Sequence, residues 1–204
     1  MKTRKTISIF SLLVSLLLLF ACTNRHKATM ITDRTGKDKS RNYVVYEAVF
    51  LDQDEVLEIA EKIRGSEPAY KETIREFHVT TDFLPDQDHR DLYGQEVTVH
   101  ITGYKAGEVI TDDGTVTHNE AMKASLKSGN QRMQKYLQES QEGWHITLSY
   151  EDKSFYTNFM NFSDAQKTDY TLTGKLGAYL NGNFVSYDGN DVDTLISENP
   201  GPGK

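Results

Sequence analysis

The chain has 204 residues and a single cysteine, Cys22, so no intrachain disulfide can form and no cysteine-based zinc site can be built. Basic charge is also short. Lys and Arg number 23 against 30 Asp and Glu, for a formal net charge of −7. The deficit is uneven, because residues 42–204 hold 14 of the basic residues and 28 of the acids, a balance near −14. A body that acidic cannot neutralise many phosphates, which excludes broad binding to long nucleic acid and leaves a small anionic substrate held by a few local donors. No repeat of 20–50 residues is visible, so a solenoid is excluded. Long apolar runs are missing too, with one exception. Ile7 to Phe20, interrupted only by Ser8, Ser11 and Ser15, is too short for a comfortable membrane span.

That exception follows Lys2, Arg4 and Lys5 and ends in Leu19-Phe20-Ala21-Cys22, which resembles a bacterial lipobox. Residues 1–21 then read as a lipoprotein signal peptide, with Ala21 before the cut and Cys22 as the lipid attachment (palmitate-bearing) residue. The expected location is the extracytoplasmic face of a bacterial cell membrane, anchored by lipid. An uncleaved signal anchor is the alternative. Residues 22–41, with six basic residues and two acids, form a polar tether that either rests on anionic headgroups or is plain solvated linker. A domain is expected over 42–190 and a flexible tail over 191–204, which closes in Glu198-Asn-Pro-Gly-Pro-Gly-Lys204.

Within the domain, Tyr43 to Phe50 is rich in β-branched and aromatic residues and predicts a strand. Asp52 can cap a helix running to about Arg64, stopped by Gly65. Strands are expected at Phe77–Leu84 and Gly94–Tyr104, then a turn at Lys105-Ala106-Gly107 leading into Glu108–Thr111, with a hairpin signal at Asp113-Gly114. Asn119–Leu126 reads as a strand, Ser128 to about Ser140 as a helix ended by Gly143, and Trp144–Tyr150 as a strand. Further strands are expected near 153–160, 170–180 and 183–187, with turns at Asn181-Gly182 and Asp188-Gly189. Two rounds of strand, helix and strands predict an α+β fold with two related lobes.

Two of these strands share a pattern. Phe77-His78-Val79-Thr80 and Trp144-His145-Ile146-Thr147 each alternate, so His78 and Thr80 share one face, as do His145, Thr147 and Ser149, while the apolar residues take the other. Side by side, the two pairs would line one cleft. Two imidazoles can serve a phosphodiester as general base and general acid, and two threonine hydroxyls can donate to its non-bridging oxygens. The pattern alone is weakly specific. With 33 Ser and Thr in the chain, chance supplies about one such pair among six histidines, and three occur, the third being His100/Thr102. On composition and spacing alone, a half-exposed strand histidine competes with the catalytic reading.

Other groups have plainer readings. His100 either lines the same cleft as an accessory donor or is a solvated sheet residue. His26, His89 and His118 fall in the tether or in polar turns. Asp86, Asp88, His89 and Asp91 form a dense acidic loop without metal spacing, and Asp188, Asn190, Asp191 and Asp193 lack the Glu that would close a calcium loop, Asn199 standing there. Tyr150, Phe155, Tyr156, Phe159 and Phe162 are expected in the core, with one ring near a cleft mouth able to stack on a base. No ligand set for a metal is predicted, and no cofactor.

The paired His-x-Thr motifs, each on a strand that follows a helix, resemble those of the two-histidine (2H) phosphoesterase superfamily, and within it the Swiss-army-knife RNA-repair-like clade, over about residues 43–190. The resemblance implies two pseudo-symmetric lobes, each an antiparallel sheet with a helix, and an active-site cleft between them. It implies a metal-independent cyclic phosphodiesterase acting on a 2′,3′-cyclic or other small nucleotide phosphodiester. By motif position His78 and His145 would be the catalytic acid/base pair, and Thr80 and Thr147 the phosphate-binding hydroxyls. The partners expected are a small anionic nucleotide and the membrane, for a monomeric protein. The competing reading is a catalytically silent binding lipoprotein of the same fold.

Overall fold

The computed structural model describes residues 44–195, apart from positions 75, 84, 86–88, 141–142, 181–183 and 193. The expected signal peptide, Cys22, the 22–41 tether with His26, and residues 196–204 lie outside the described residues, as do Asp86 and Asp88 of the acidic loop and the Asn181-Gly182 turn. The fold is α+β, with few helices and one eight-stranded sheet.

The elements run β1 (Val44–Phe50), α1 (Gln53–Arg64), β2 (Glu72–Thr73), β3 (His78–Phe83), a 3-10 turn at Arg90–Leu92, β4 (Glu96–Ile110), β5 (Val116–Lys127), α2 (Gln131–Glu139), β6 (His145–Tyr150), a 3-10 helix (Ser154–Phe159), β7 (Gln166–Leu180) and β8 (Phe184–Ser186). The order across the sheet is β2-β6-β5-β4-β7-β1-β3, with β8 on β7, and every described pairing is antiparallel. Although β3 and β6 lie on opposite flanks of that order, they touch each other, so the sheet curls.

Local chemistry accounts for both helices. The Asp52 carboxylate accepts from the N–H groups of Asp54 and Glu55 at 2.9 and 3.1 Å, and Asn130 does the same for Arg132 and Met133 at the start of α2. Gly65 ends α1 with φ 97°, a conformation that favours glycine. Val56, Ile59 and Ala60 of α1 and Met133, Tyr136 and Leu137 of α2 bury against one face of the sheet, where Val49, Val79, Val97, Val99, Met122, Ile146 and Leu176 are fully enclosed. Each fully buried Val, Leu, Ile or Met side chain among these contributes about 1.5–3 kcal/mol by leaving water. At Gly174 a Cβ would lie 2.5 Å from Val49 Cγ1, so β7 and β1 can approach only because no side chain is there.

Four expectations are corrected. The chain does not turn at Lys105-Ala106-Gly107: β4 continues to Ile110, because these residues pair with Ala121, Glu120 and Asn119 of β5. The 153–160 region is a 3-10 helix, not a strand. Asn119 Nδ2 reaches across to donate to Lys153 O and Thr157 Oγ1, and the Thr157 hydroxyl donates to Ser154 O. Phe155 and Phe159 are exposed, not core. The 191–204 segment does not begin as a tail, since Val192 is fully buried, Leu195 packs on the main core and its N–H donates to Asp191 O at 2.8 Å.

Candidate active site

The ladder carries His78 and His145 to matching places. In the first unit, β1 pairs with β3 so that Phe50 faces His78, Ala48 faces Thr80, Glu47 faces Asp82 and Tyr46 faces Phe83. In the second, β5 pairs with β6 so that Lys123 faces His145, Ala121 faces Thr147, Glu120 faces Ser149 and Asn119 faces Tyr150. Both ladders slip at the Glu-Ala step, which leaves one extra residue directly after each threonine, Thr81 in β3 and Leu148 in β6. Bulges of this kind bend a strand and re-aim the side chains around it.

Each imidazole is fixed in the same way. His78 Nδ1 lies 2.9 Å from Glu76 O, and His145 Nδ1 lies 2.8 Å from Gly143 O, in both cases the carbonyl two residues upstream. A carbonyl only accepts, so Nδ1 carries the proton and Nε2 of the neutral ring is the bare base. Burial lowers the pKa of both rings. The carbonyl bond opposes this in each, and the charge on His145 pushes His78 down further. Thr80 and Thr147 are half-buried on the same side as their histidines, and neither hydroxyl bonds another side chain among the described residues.

The two pairs share one continuous sheet face, opposite the helices. Directly opposed residues of an antiparallel ladder project to the same side. From His78 the register leads to Phe50 and on to Lys175 in β7; from His145 it leads to Lys123, then along β5 to Ser125 and Lys127. Between them, Thr98 of β4 faces Thr173 and Lys127, and His100 faces Thr171 and Ser125. His100 therefore belongs to this face, with Nδ1 3.1 Å from Thr171 Oγ1. Its sequence partner Thr102 falls where the β4 register shifts, between Ile101 and Gly103, so His100/Thr102 does not reproduce the other two pairs.

Aromatic rings wall both ends. Tyr46 stacks on His78 at 5.0 Å and on Tyr179 at 4.8 Å, with Phe50 5.8 Å from His78 and the Tyr187 ring edge-on to Phe50. Burial raises the phenol pKa of Tyr46, and that of Tyr187 to about 12, so both stay neutral. At the other end Phe162 stacks on His145 at 6.3 Å, and beneath it lie Val109, Ala121 and Met160.

Behind the face, two fully buried glutamates hold the bulges, and both escape a sequence reading. Glu47 accepts from Tyr93 Oη (2.7 Å), Tyr136 Oη (2.9 Å), the His89 N–H (2.6 Å) and His89 Nδ1 (2.8 Å). Glu120 accepts from Tyr104 Oη (2.9 Å), the Ala69 N–H (3.1 Å) and Ser149 Oγ, and pairs with Arg64 Nε at 2.7 Å. The ties cross: Tyr136 of α2 anchors β1, and Arg64 of α1 anchors β5. Glu47-Ala48 and Glu120-Ala121, a charge inside an otherwise apolar strand twice over, are the signal that marks them. His89 is thus a ligand of Glu47 rather than a free turn residue, Asp91 pairs with Arg132 at 2.7 Å, and His118 pairs with Glu151 at 2.8 Å. Among the described residues no group of three or more His, Cys, Asp or Glu is placed to hold a metal ion.

No family model, no curated protein and no solved structure matches this chain.

Proposed function

We propose that this protein is a metal-independent phosphodiesterase of the two-histidine type, acting on a cyclic nucleotide phosphodiester from a lipid anchor at Cys22 on the outer side of a bacterial membrane. One observation carries the reading. His78 and His145 occupy corresponding register positions on one face, each with Nδ1 locked to the carbonyl two residues back and Nε2 left for chemistry. The repeated register, with its Glu-Ala slip in both ladders, supports two pseudo-symmetric lobes fused into one sheet.

In this reading His78, whose pKa is lowered both by burial and by the charge of His145, stays neutral and is the general base. Its Nε2 takes a proton from water as the water oxygen bonds to phosphorus. His145, protonated, gives its Nε2 proton to the departing ribose oxygen, so the ring opens to a phosphomonoester and the proton count balances. Thr80 and Thr147 donate to the non-bridging oxygens and stabilise the charge that builds there. The test is hydrolysis of 2′,3′-cyclic AMP by the full chain in excess chelator. Turnover abolished by His78→Ala and retained by His100→Ala is expected. No turnover by folded protein would leave the face as a binding surface.

A further inference from the structure

The face between the two His-Thr pairs carries a charge pattern that one phosphodiester does not use. Lys127 and Lys175 stand on it, with Lys123 beside His145, and the neighbouring side chains are hydroxyls, Thr98, Thr171 and Thr173. The three lysines are exposed, and none forms an ion pair among the described residues. Two acids lie on the same side, Glu96 opposite Lys175 and, by alternation along β7, Asp169 two residues from Thr171. Of the nine lysines among the described residues, five have no carboxylate partner, and three of those five share one side of one sheet. Such a local excess of positive charge over a hydroxyl floor fits an anion.

We infer that Lys127 and Lys175, with Thr98, Thr173 and the His100–Thr171 pair, form a second phosphate subsite, so that the preferred ligand is a nucleotide carrying a phosphomonoester in addition to the phosphate held between His78 and His145. This rests on the phosphodiesterase reading for the first phosphate only. The spacing suits a small molecule: Lys175 lies two strands from His78 across the ladder, roughly 10 Å at the backbone, and the lysine stem spans part of that gap. With His100 Nδ1 accepting from the Thr171 hydroxyl, the Nε2–H of the same ring is a further donor. A polymer is disfavoured because the surrounding domain would repel its remaining phosphates.

Binding rather than turnover tests it. Calorimetric titration of the full chain with adenosine 3′-monophosphate and with adenosine 3′,5′-bisphosphate should show the bisphosphate about 10–100-fold tighter, the range for one added charge-assisted contact. In the double variant Lys127→Gln/Lys175→Gln the difference should shrink to about twofold or less, with the monophosphate affinity unchanged. His100→Gln should remove part of it. Equal affinities in the unmodified protein, a preference that survives the double variant, or no binding of either nucleotide overturns the subsite. Failure of the enzymatic reading looks different: the bisphosphate preference persists while 2′,3′-cyclic AMP is not hydrolysed. Circular dichroism of the variants establishes that these surface substitutions leave the fold intact.

Discussion

The units β1–α1–β3 and β5–α2–β6 place their histidines by the same register and surround them differently. His78 sits in an aromatic nest of Tyr46 and Phe50, whereas His145 stands opposite Lys123 with one ring, Phe162, over it. Backbone geometry is repeated and the side-chain company is not. A two-histidine reaction needs that combination, because equal placement lets both rings reach one phosphorus while unequal surroundings let one stay neutral as the other holds a proton. The buried carboxylates follow the same rule. Glu47 is met by two phenols and a histidine, Glu120 by a phenol, a serine and the guanidinium of Arg64.

The largest test of equal placement is catalytic. His78→Ala and His145→Ala should each lower kcat/KM on 2′,3′-cyclic AMP by about 10²–10⁴-fold, the range for loss of a general acid or base, while His100→Ala stays near the unmodified rate. A loss confined to one of the pair would mean that the two units are alike in backbone only.

Stability separates the two carboxylates. Glu120→Gln leaves Arg64, itself almost enclosed, without its counter-charge and should cost about 3–5 kcal/mol. Glu47→Gln turns an amide donor toward groups that already donate, and should cost about 1–3 kcal/mol. Urea unfolding of both variants checks the order; a larger loss at Glu47 would show that Arg64 finds another partner.

Smaller still, Thr80→Val and Thr147→Val should each slow turnover by about 10–100-fold, the kinetic equivalent of the ~1.5–3 kcal/mol of a hydrogen bond to a charged group. Equal losses would indicate that the phosphate is held symmetrically. Unequal ones would identify the unit that carries the developing charge.

Much of this arrangement is legible along the chain, and the remainder is hidden for physical reasons. Asp52 and Gly65 mark α1 because capping is local, and alternation sorts His78 with Thr80 and His145 with Thr147 because strand period is local. Ser149, expected on the same face, is instead turned back to Glu120 by the bulge at Leu148. The continuity of β4 through Gly107 is set by its partner β5, and the 3-10 helix at Ser154–Phe159 by the Asn119 amide from 34–38 residues away, so strand propensity misleads at both. The same holds for His100/Thr102, which has the motif spacing but meets a register shift created by two neighbouring strands. The lysines of the open face are spread over β5 and β7 and become a cluster only when pairing brings them together.

The subtlest test concerns which ring is neutral. Burial lowers the pKa of both histidines, so the bell-shaped dependence of kcat/KM should centre below the ordinary histidine value of about 6.5. The same shifts act on stability: the unfolded chain takes up protons first as pH falls through about 6.5, so the native state loses stability below that point, down to the folded pKa values, and gains nothing further above it. Within the bell, the acid limb reports the group that must be neutral and the alkaline limb the group that must be protonated, which in the proposed mechanism are His78 and His145. Tyr46→Ser removes the ring stacked on His78 and admits water, which weakens the desolvation that leads the causes of its shift. The acid limb should therefore move to higher pH while the alkaline limb, governed by His145 beside Phe162, stays in place. Movement of the alkaline limb instead would exchange the roles, making His145 the base and the aromatic nest the environment of the acid.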